Sequence, residues 1–144
     1  ADERRGAVGS GRRRARRPVT FLIDTHVLLW WRLTPDRLRP ESRALLADRG
    51  NTVLWSAATA WEISIKTGIS KLDVGIPIGE FCVSTTRLGF DWLPITAEHC
   101  AAMVELPRLH GDPFDRMLVA QATVEGIPLM SDDPQVVRYP IRVV

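Results

Sequence analysis

Six of the 17 acidic residues lie at four widely separated places from which a fold could bring them into one site. They are Asp24, Glu62, the pair Asp112 and Asp115, and the pair Asp132 and Asp133. Carboxylates gathered in one cleft repel one another, which raises their pKa values and lowers stability unless a cation lies among them. Oxygen ligands without a cysteine or histidine set indicate a hard divalent ion, Mg²⁺ or Mn²⁺. Such an ion binds substrate phosphates, activates water and stabilises the leaving oxygen of a phosphodiester.

The elements that must position these acids follow from the hydrophobic pattern. Short apolar runs predict strands at 19–23, 52–55, 90–94, 127–130 and 141–144. Stretches with capping residues predict helices at about 26–33, 40–50, 57–67, 78–88, 97–105, 113–125 and 134–138. Alternating strands and helices are typical of βαβ units. We therefore expect an α/β fold over residues 18–144, a three-layer α/β/α sandwich with a mainly parallel, roughly five-stranded sheet.

This topology brings the acids to one edge of the sheet. Asp24 follows the first predicted strand, and the 132–133 pair follows the fourth strand after Ser131. Glu62 lies in the second turn of the helix after the second strand, and the 112–115 turn begins the helix that leads to the fourth. Ligands of open parallel sheets bind beyond the carboxyl ends of the strands. The acids are therefore expected in one cleft.

Each acid also has a purely structural interpretation. Asp112 precedes Pro113, and Asp-Pro is a common helix opening, so Asp112 can be an N-cap. Asp115 can interact with the helix dipole, but at helical spacing it aligns with the apolar Leu118 and Ala122 and should point inward. Glu62 has similarly apolar neighbours at helical spacing. Cap and ligand therefore remain alternatives for each acid taken singly.

Composition excludes several classes of protein. The 144 residues are 45% hydrophobic and 25% charged, which is unlike a disordered chain, a coiled coil or a collagen-like fibre. The longest apolar run, 27–31, is far too short for a membrane span. The two cysteines, Cys82 and Cys100, fit neither a metal-ligand spacing nor a disulfide framework. We expect a cytoplasmic protein with no membrane association.

A basic arm precedes the predicted domain. Residues 1–17 hold seven arginines, and removing them from the 19 basic residues leaves 12 against 15 acidic ones in residues 18–144. The formal net charge of +2 is therefore due to the arm, whereas residues 18–144 are mildly acidic. The composition of the arm favours a disordered leader, and its charge would add non-specific attraction to phosphates.

Three segments of the chain resemble one family. They are Leu-Ile-Asp-Thr-His-Val-Leu-Leu-Trp at 22–30, Trp-Glu-Ile-Ser-Ile-Lys at 61–66 and Asp-Pro-Phe-Asp-Arg-Met-Leu-Val-Ala-Gln-Ala at 112–122. Over residues 20–144 the sequence resembles the PIN domain and, more narrowly, VapC-type toxins of bacterial toxin–antitoxin pairs. The resemblance implies a Mg²⁺-dependent endoribonuclease that cuts structured RNA (tRNA or rRNA). It also implies a homodimer that a VapB-type antitoxin keeps inactive.

The resemblance also implies which residues form the site. The four family acids fall on Asp24, Glu62, Asp115 and Asp133, as catalytic residues and ligands of Mg²⁺ or its substitute Mn²⁺. The fourth motif departs from the family, because Asp132 stands where members often carry arginine. Residues expected around the metal ligands or against substrate are Asp112, Arg116, Lys66 and Asp132. Arg116 has two alternatives, a phosphate contact or an ion pair with Asp112 or Glu62.

Other residues give weaker signals. His99 is expected on a helix surface, and His110 in a loop, where an RNA contact is the alternative. The five tryptophans could offer stacking platforms for bases. Their positions in strands and on apolar helix faces favour packing in the core or in a dimer.

Three other functions are alternatives for a small α/β domain of this kind. A Mg²⁺-binding receiver would need adjacent acids after the first strand and a lysine after the fifth, and neither is in place. A metal-free PIN-like module for RNA binding or regulation would lack some of the four acids, and all are present. A phosphatase of the Asp-x-Asp type fails because His26 stands where the second aspartate is required.

We predict that residues 1–17 are dispensable for folding and for cleavage chemistry, because they contain none of the acids and no strand or helix pattern. Deleting them should leave the melting temperature nearly unchanged and at most weaken RNA binding in low salt. Calorimetry of the full and shortened chains checks this. A large loss of stability would place the domain boundary elsewhere.

Overall fold

A computed structural model describes residues 17–144 and contains a four-stranded, wholly parallel sheet. The strands are β1 (Thr20–Ile23), β2 (Thr52–Ser56), β3 (Asp91–Leu93) and β4 (Leu129–Met130), in the order β3-β2-β1-β4. The predicted fifth strand is reduced to a single parallel bridge between Leu129 and Val143. The basic arm lies almost wholly outside the described residues, so its prediction stays untested.

Seven helices surround the sheet within the described residues. They are α1 (Thr25–Leu33), α2 (Pro40–Ala47), α3 (Ala57–Gly68), α4 (Ile78–Arg87), α5 (Ala97–Glu105), α6 (Pro113–Glu125) and α7 (Pro134–Val137), with a 3₁₀ turn at Pro35–Arg37. Each corresponds to a predicted helix within a few residues at either end. In the described part of the chain, no helix is both long and apolar enough to span a membrane.

Alternate residues of the strands build two separate cores. Phe21 and Ile23 of β1 lie in a cluster with Leu28 of α1, whereas Leu22 lies in a second cluster with Leu118 of α6. Parallel strands buried on both faces have few polar positions, which explains their near-continuous apolar sequence. The three-layer sandwich predicted from the sequence is therefore confirmed, and only the strand count is lower.

Helix caps set where the chain turns at the carboxyl edge of the sheet. The Asp24 carboxylate accepts a hydrogen bond of 2.8 Å from the backbone N–H of Val27 and begins α1 directly after β1. The Ser56 hydroxyl accepts one of 2.9 Å from the N–H of Ala58 and begins α3 directly after β2. These caps satisfy N–H groups that lack partners within the helix. They also fix the helices that carry the acids.

His99 is buried and not on a helix surface, which corrects the sequence-based expectation. Its Nδ1 accepts a hydrogen bond of 3.0 Å from the Thr96 N–H, and its Nε2 lies 2.8 Å from Glu125 Oε1. The ring thus completes a capping box with Thr96 and joins α5 to α6. The sequence pattern placed His99 in the correct helix, but it does not reveal that this ring replaces the usual Glu or Gln of a capping box.

Candidate active site

Asp24 is the most deeply buried acid at the carboxyl edge of the sheet. Only 2% of its surface is exposed, its carboxylate accepts a hydrogen bond from the N–H of Val27, and the Ser131 side chain lies nearby. Burial raises the pKa of Asp24 from 3.8 to about 6, and the Asp115 carboxylate adds to this rise. Ionised Asp24 is thus held in an environment that disfavours its negative charge.

Asp115 lies in the first turn of α6, on a helix that begins at the predicted cap. Asp112 accepts hydrogen bonds of 2.9 Å and 3.0 Å from the N–H groups of Phe114 and Asp115, so its role as an N-cap is confirmed. Burial is the main cause that raises the pKa of Asp115, followed by the nearby Asp112 carboxylate. Asp133 and Glu62 raise it further. Asp115 therefore lies close enough to Asp112, Asp133 and Glu62 for each of these negative charges to raise its pKa.

Glu62 has one carboxylate oxygen engaged and one without a partner. Its side chain is almost fully buried in α3, and Lys66 Nζ lies 2.7 Å from Oε2. Oε1 is buried with no hydrogen-bond partner in the structure. An unsatisfied buried carboxylate oxygen is costly, and such atoms in native proteins often mark a site for an ion or a water.

The two acids after β4 have different roles. Asp133 caps α7 through a hydrogen bond of 2.8 Å from the Gln135 N–H, whereas Asp132 pairs with Arg39 at 2.8 Å. Both line a cavity of about 220 Å³ whose other walls include Asp24. The cavity lies directly beyond β1 and β4, where the sequence places the site.

A cation at this edge of the sheet would be held by few protein ligands. Within residues 17–144, no group of three or more His, Cys, Asp or Glu side chains is close enough to form a preformed metal site. Mg²⁺ is usually bound through one or two carboxylates while it keeps several waters. The buried carboxylate of Asp24, the partly buried one of Asp115 and the unpaired oxygen of Glu62 supply suitable hard oxygen donors.

Arg116 forms neither of the ion pairs considered from the sequence. Its guanidinium donates to the carbonyl oxygens of Pro107 at 2.8 Å and Met103 at 3.3 Å, and to the Tyr139 hydroxyl at 3.1 Å. An ion pair with Asp112 or Glu62 is absent from the described residues. Arg116 therefore serves first to tie the 103–107 segment to α6.

The sequence did not predict how three residues contact the acids, since it named Ser131 only after the fourth strand and His110 only in a loop. Ser131 lies near Asp24, while His110 lies 3.4 Å from Asp115 Oδ2 and 2.7 Å from the Tyr139 hydroxyl. Tyr139 is the only tyrosine of the chain and is distant in sequence from His110 and Asp115, the residues that it connects with in space. A histidine five positions before an inward-pointing aspartate was the one available signal.

The tryptophans divide between core and surface. Trp55 is fully buried, as predicted, but Trp61 is 59% exposed and packs edge-on against Phe114 at 5.2 Å between ring centres. Trp61 precedes Glu62, and Phe114 precedes Asp115. Trp61 therefore does not pack in the core, whereas the alternative expected for it, packing in a dimer, stays a prediction.

Comparison with known proteins agrees with this geometry. The family model of the PIN domain matches residues 21–141. The chain belongs to the PIN domain family. It is 28% identical over 127 residues to Ribonuclease VapC22 of Mycobacterium tuberculosis, a match that covers 80% of this chain and 88% of that protein.

Solved structures of low sequence identity share the fold. VapBC2 from Rickettsia felis, bound to a DNA fragment from their promoter, is similar with a TM-score of 0.66 and 16% identity, covering 88% of this chain and 98% of that one. FitAcB from Neisseria gonorrhoeae gives a TM-score of 0.55 and 20% identity, covering 85% and 95%. At these identities the likeness establishes the PIN-like fold alone.

The raised pKa of Asp24 predicts a pH-dependent stability of the metal-free protein. The folded state binds this proton more tightly than the unfolded state, so the contribution of Asp24 to stability is most favourable below about pH 4 and falls as pH rises to about 6. At pH 7 the ionised group costs about 3 kcal/mol. The Asp24→Asn variant keeps the cap and should be more stable than the wild type by about this amount at pH 7, but not at pH 4.

Urea unfolding of both proteins across this pH range measures the difference directly. Asp91→Asn is a matched control, since Asp91 is exposed at the opposite, amino end of β3. A difference between wild type and Asp24→Asn that does not change with pH would refute the buried ionisation.

Proposed function

We propose that the protein is a divalent-metal-dependent endoribonuclease that acts as the toxin of a type II toxin–antitoxin pair. The observation that carries this proposal is the group of buried carboxylates at the carboxyl edge of the sheet, where Asp24 is almost wholly buried and a Glu62 oxygen has no hydrogen-bond partner. That arrangement occurs in a PIN domain whose sequence is similar to a ribonuclease. A stability cost concentrated in this way is expected where binding or catalysis requires it.

Asp24 and Asp115 would hold Mg²⁺ or Mn²⁺ directly, with Glu62 and Asp133 near it or bound through water. When bound, the ion would activate a water and neutralise charge on the phosphodiester. The protein's own contribution is to fix the carboxylates. The cap on α1 holds Asp24, and Lys66 holds one oxygen of Glu62 while the other remains available.

RNA is the substrate that best fits the surroundings of the acids. A phosphodiester would be repelled by the carboxylates alone, so cation and substrate must bind together. The exposed Trp61 ring packs against the half-buried Phe114 ring, and the two residues precede Glu62 and Asp115, so Trp61 is suited to stack on an unpaired base. Structured RNA, tRNA or rRNA, offers such bases in its loops.

A protein partner is indicated by an apolar stripe on α3. Trp61, Ile65 and Ile69 recur at helical spacing and are 59%, 41% and 57% exposed. Exposed apolar patches of this kind mark interfaces between proteins. We assign them to contacts with a VapB-type antitoxin or within a homodimer, in keeping with the VapBC and FitAB assemblies among structures of similar fold.

A metal-free RNA-binding module is the second candidate. The observation that favours it is that no preformed three-ligand group occurs in residues 17–144. Such a module would bind RNA and leave it intact with or without divalent ions. The unpaired Glu62 oxygen and the costly Asp24 charge favour the nuclease, since a binding module has no need of them.

We predict that the purified protein, free of any partner, cuts a structured RNA at few sites and only with divalent ions. Asp24→Asn and Asp115→Asn should each reduce cleavage by about a hundredfold or more, because each removes a charge and not volume. Asp112→Asn should be milder, since asparagine caps a helix nearly as well. Gel analysis of end-labelled tRNA and rRNA fragments measures the rates.

The exposed Asp91→Asn variant is the control and should cut at the wild-type rate. Cleavage that persists in excess EDTA but is lost in Asp24→Asn would reject the metal mechanism, because dependence on Asp24 excludes a contaminating ribonuclease. RNA binding without cleavage in Mg²⁺ or Mn²⁺ would favour the metal-free module. An Asp112→Asn variant as damaged as Asp115→Asn would mean that Asp112 binds the ion.

A further inference from the structure

A chain of hydrogen bonds runs from Arg116 through Tyr139 and His110 to Asp115. Arg116 Nη1 donates to the Tyr139 hydroxyl at 3.1 Å, and this hydroxyl lies 2.7 Å from His110 Nδ1. His110 Nε2 in turn lies 3.4 Å from Asp115 Oδ2. The chain therefore connects a permanently charged guanidinium with one of the two acids assigned to the metal.

The chemistry of the donors sets the direction of this chain. Arginine can only donate, so the Tyr139 oxygen accepts from it, and the phenolic proton is free to be donated to His110 Nδ1. A neutral ring that accepts at Nδ1 carries its proton on Nε2, which then points to the Asp115 carboxylate. The opposite tautomer would place a ring lone pair against a carboxylate oxygen, which is repulsive.

The members of the chain are held rigidly by their surroundings. Two backbone carbonyls fix Arg116, those of Pro107 and Met103. Tyr139 is 2% exposed within the second core cluster, and its ring lies edge-on to His110 at 5.4 Å. The His110 side chain itself is only 14% exposed. Because the His110 ring is confined, its position determines the orientation of the Asp115 carboxylate.

We propose that His110 is a positioning residue that fixes the Asp115 carboxylate for cation binding, with its tautomer set by Tyr139. The Nε2–H group occupies Asp115 Oδ2 and leaves the other oxygen for the ion. Loss of a hydrogen bond to a ligating carboxylate typically weakens metal binding by about tenfold to a hundredfold. This inference rests on the proposed metal-dependent function of the site, but the tautomer itself does not.

A direct contact of His110 with RNA is the competing role. His110 lines a cavity of about 560 Å³ together with Arg108 and Arg116, so part of the ring edge faces space that a substrate could enter. Both ring nitrogens, however, already have protein partners. A ring used in this way supports the acid and has no free nitrogen for a base or a phosphate.

The first experiment reads the tautomer by long-range ¹H–¹⁵N NMR of the metal-free full-length protein at about pH 8, where ordinary imidazoles are neutral. The chain has three histidines, and the His110→Gln spectrum assigns the signal of His110. We expect the proton on Nε2 in the wild type and a mixture of tautomers in Tyr139→Phe. A proton on Nδ1 in the wild type would overturn the proposal.

The second experiment measures Mn²⁺ affinity by calorimetry. His110→Ala should bind Mn²⁺ about tenfold to a hundredfold more weakly than the wild type. His110→Gln retains an amide donor near Nε2 and should recover most of the affinity. Tyr139→Phe should lie between, and adding it to His110→Ala should cause no further loss, because Tyr139 acts through His110.

The outcomes separate this proposal from the proposed function. A wild type that binds no Mn²⁺ counts against the metal site, whereas equal Mn²⁺ affinity of wild type and His110→Ala counts against positioning by His110. Unchanged Mn²⁺ affinity with weaker RNA binding would assign His110 to the substrate and overturn the proposal. Should His110→Ala fail to fold, as thermal unfolding would show, His110→Gln and Tyr139→Phe still test the chain.

Discussion

The burial of carboxylates at the carboxyl edge of a parallel sheet is the constraint on which the rest of the structure depends. Asp24 is almost wholly removed from water at the end of β1, and its raised pKa reflects the free-energy cost of ionising a buried carboxyl group. Asp115, approached by three further acids, adds to this cost. A protein of marginal stability retains such an arrangement only where binding or catalysis requires it.

The same side chains serve the fold and the site. Asp24, Asp112 and Asp133 each cap a helix with a carboxylate oxygen, so the helix N-termini hold them in place and their N–H groups partly offset the negative charge. The choice between a cap and a functional acid, which the sequence posed for each residue, is therefore not exclusive. A carboxylate has two oxygens, and a cap engages only one of them.

The features that sequence predicts well here depend on local pattern. The strand before Asp24, the Asp112–Pro113 helix start and the inward direction of Asp115 all follow from apolar runs and caps, and the structure confirms them. Features that depend on distant contacts were missed. The burial of His99, the pairing of Asp132 with Arg39 and the reduction of the last strand to one bridge are decided by neighbours far along the chain.

The measurement that tests the account most directly is calorimetric titration of the metal-free protein with Mn²⁺ at neutral pH. The account predicts saturable binding to the wild type and to the exposed control Asp91→Asn, and loss of that binding in Asp24→Asn and Asp115→Asn. Millimolar affinity is sufficient, because such ions keep most of their waters. No binding to the wild type, or equal binding to Asp24→Asn, would contradict the claim that the buried acids form a cation site.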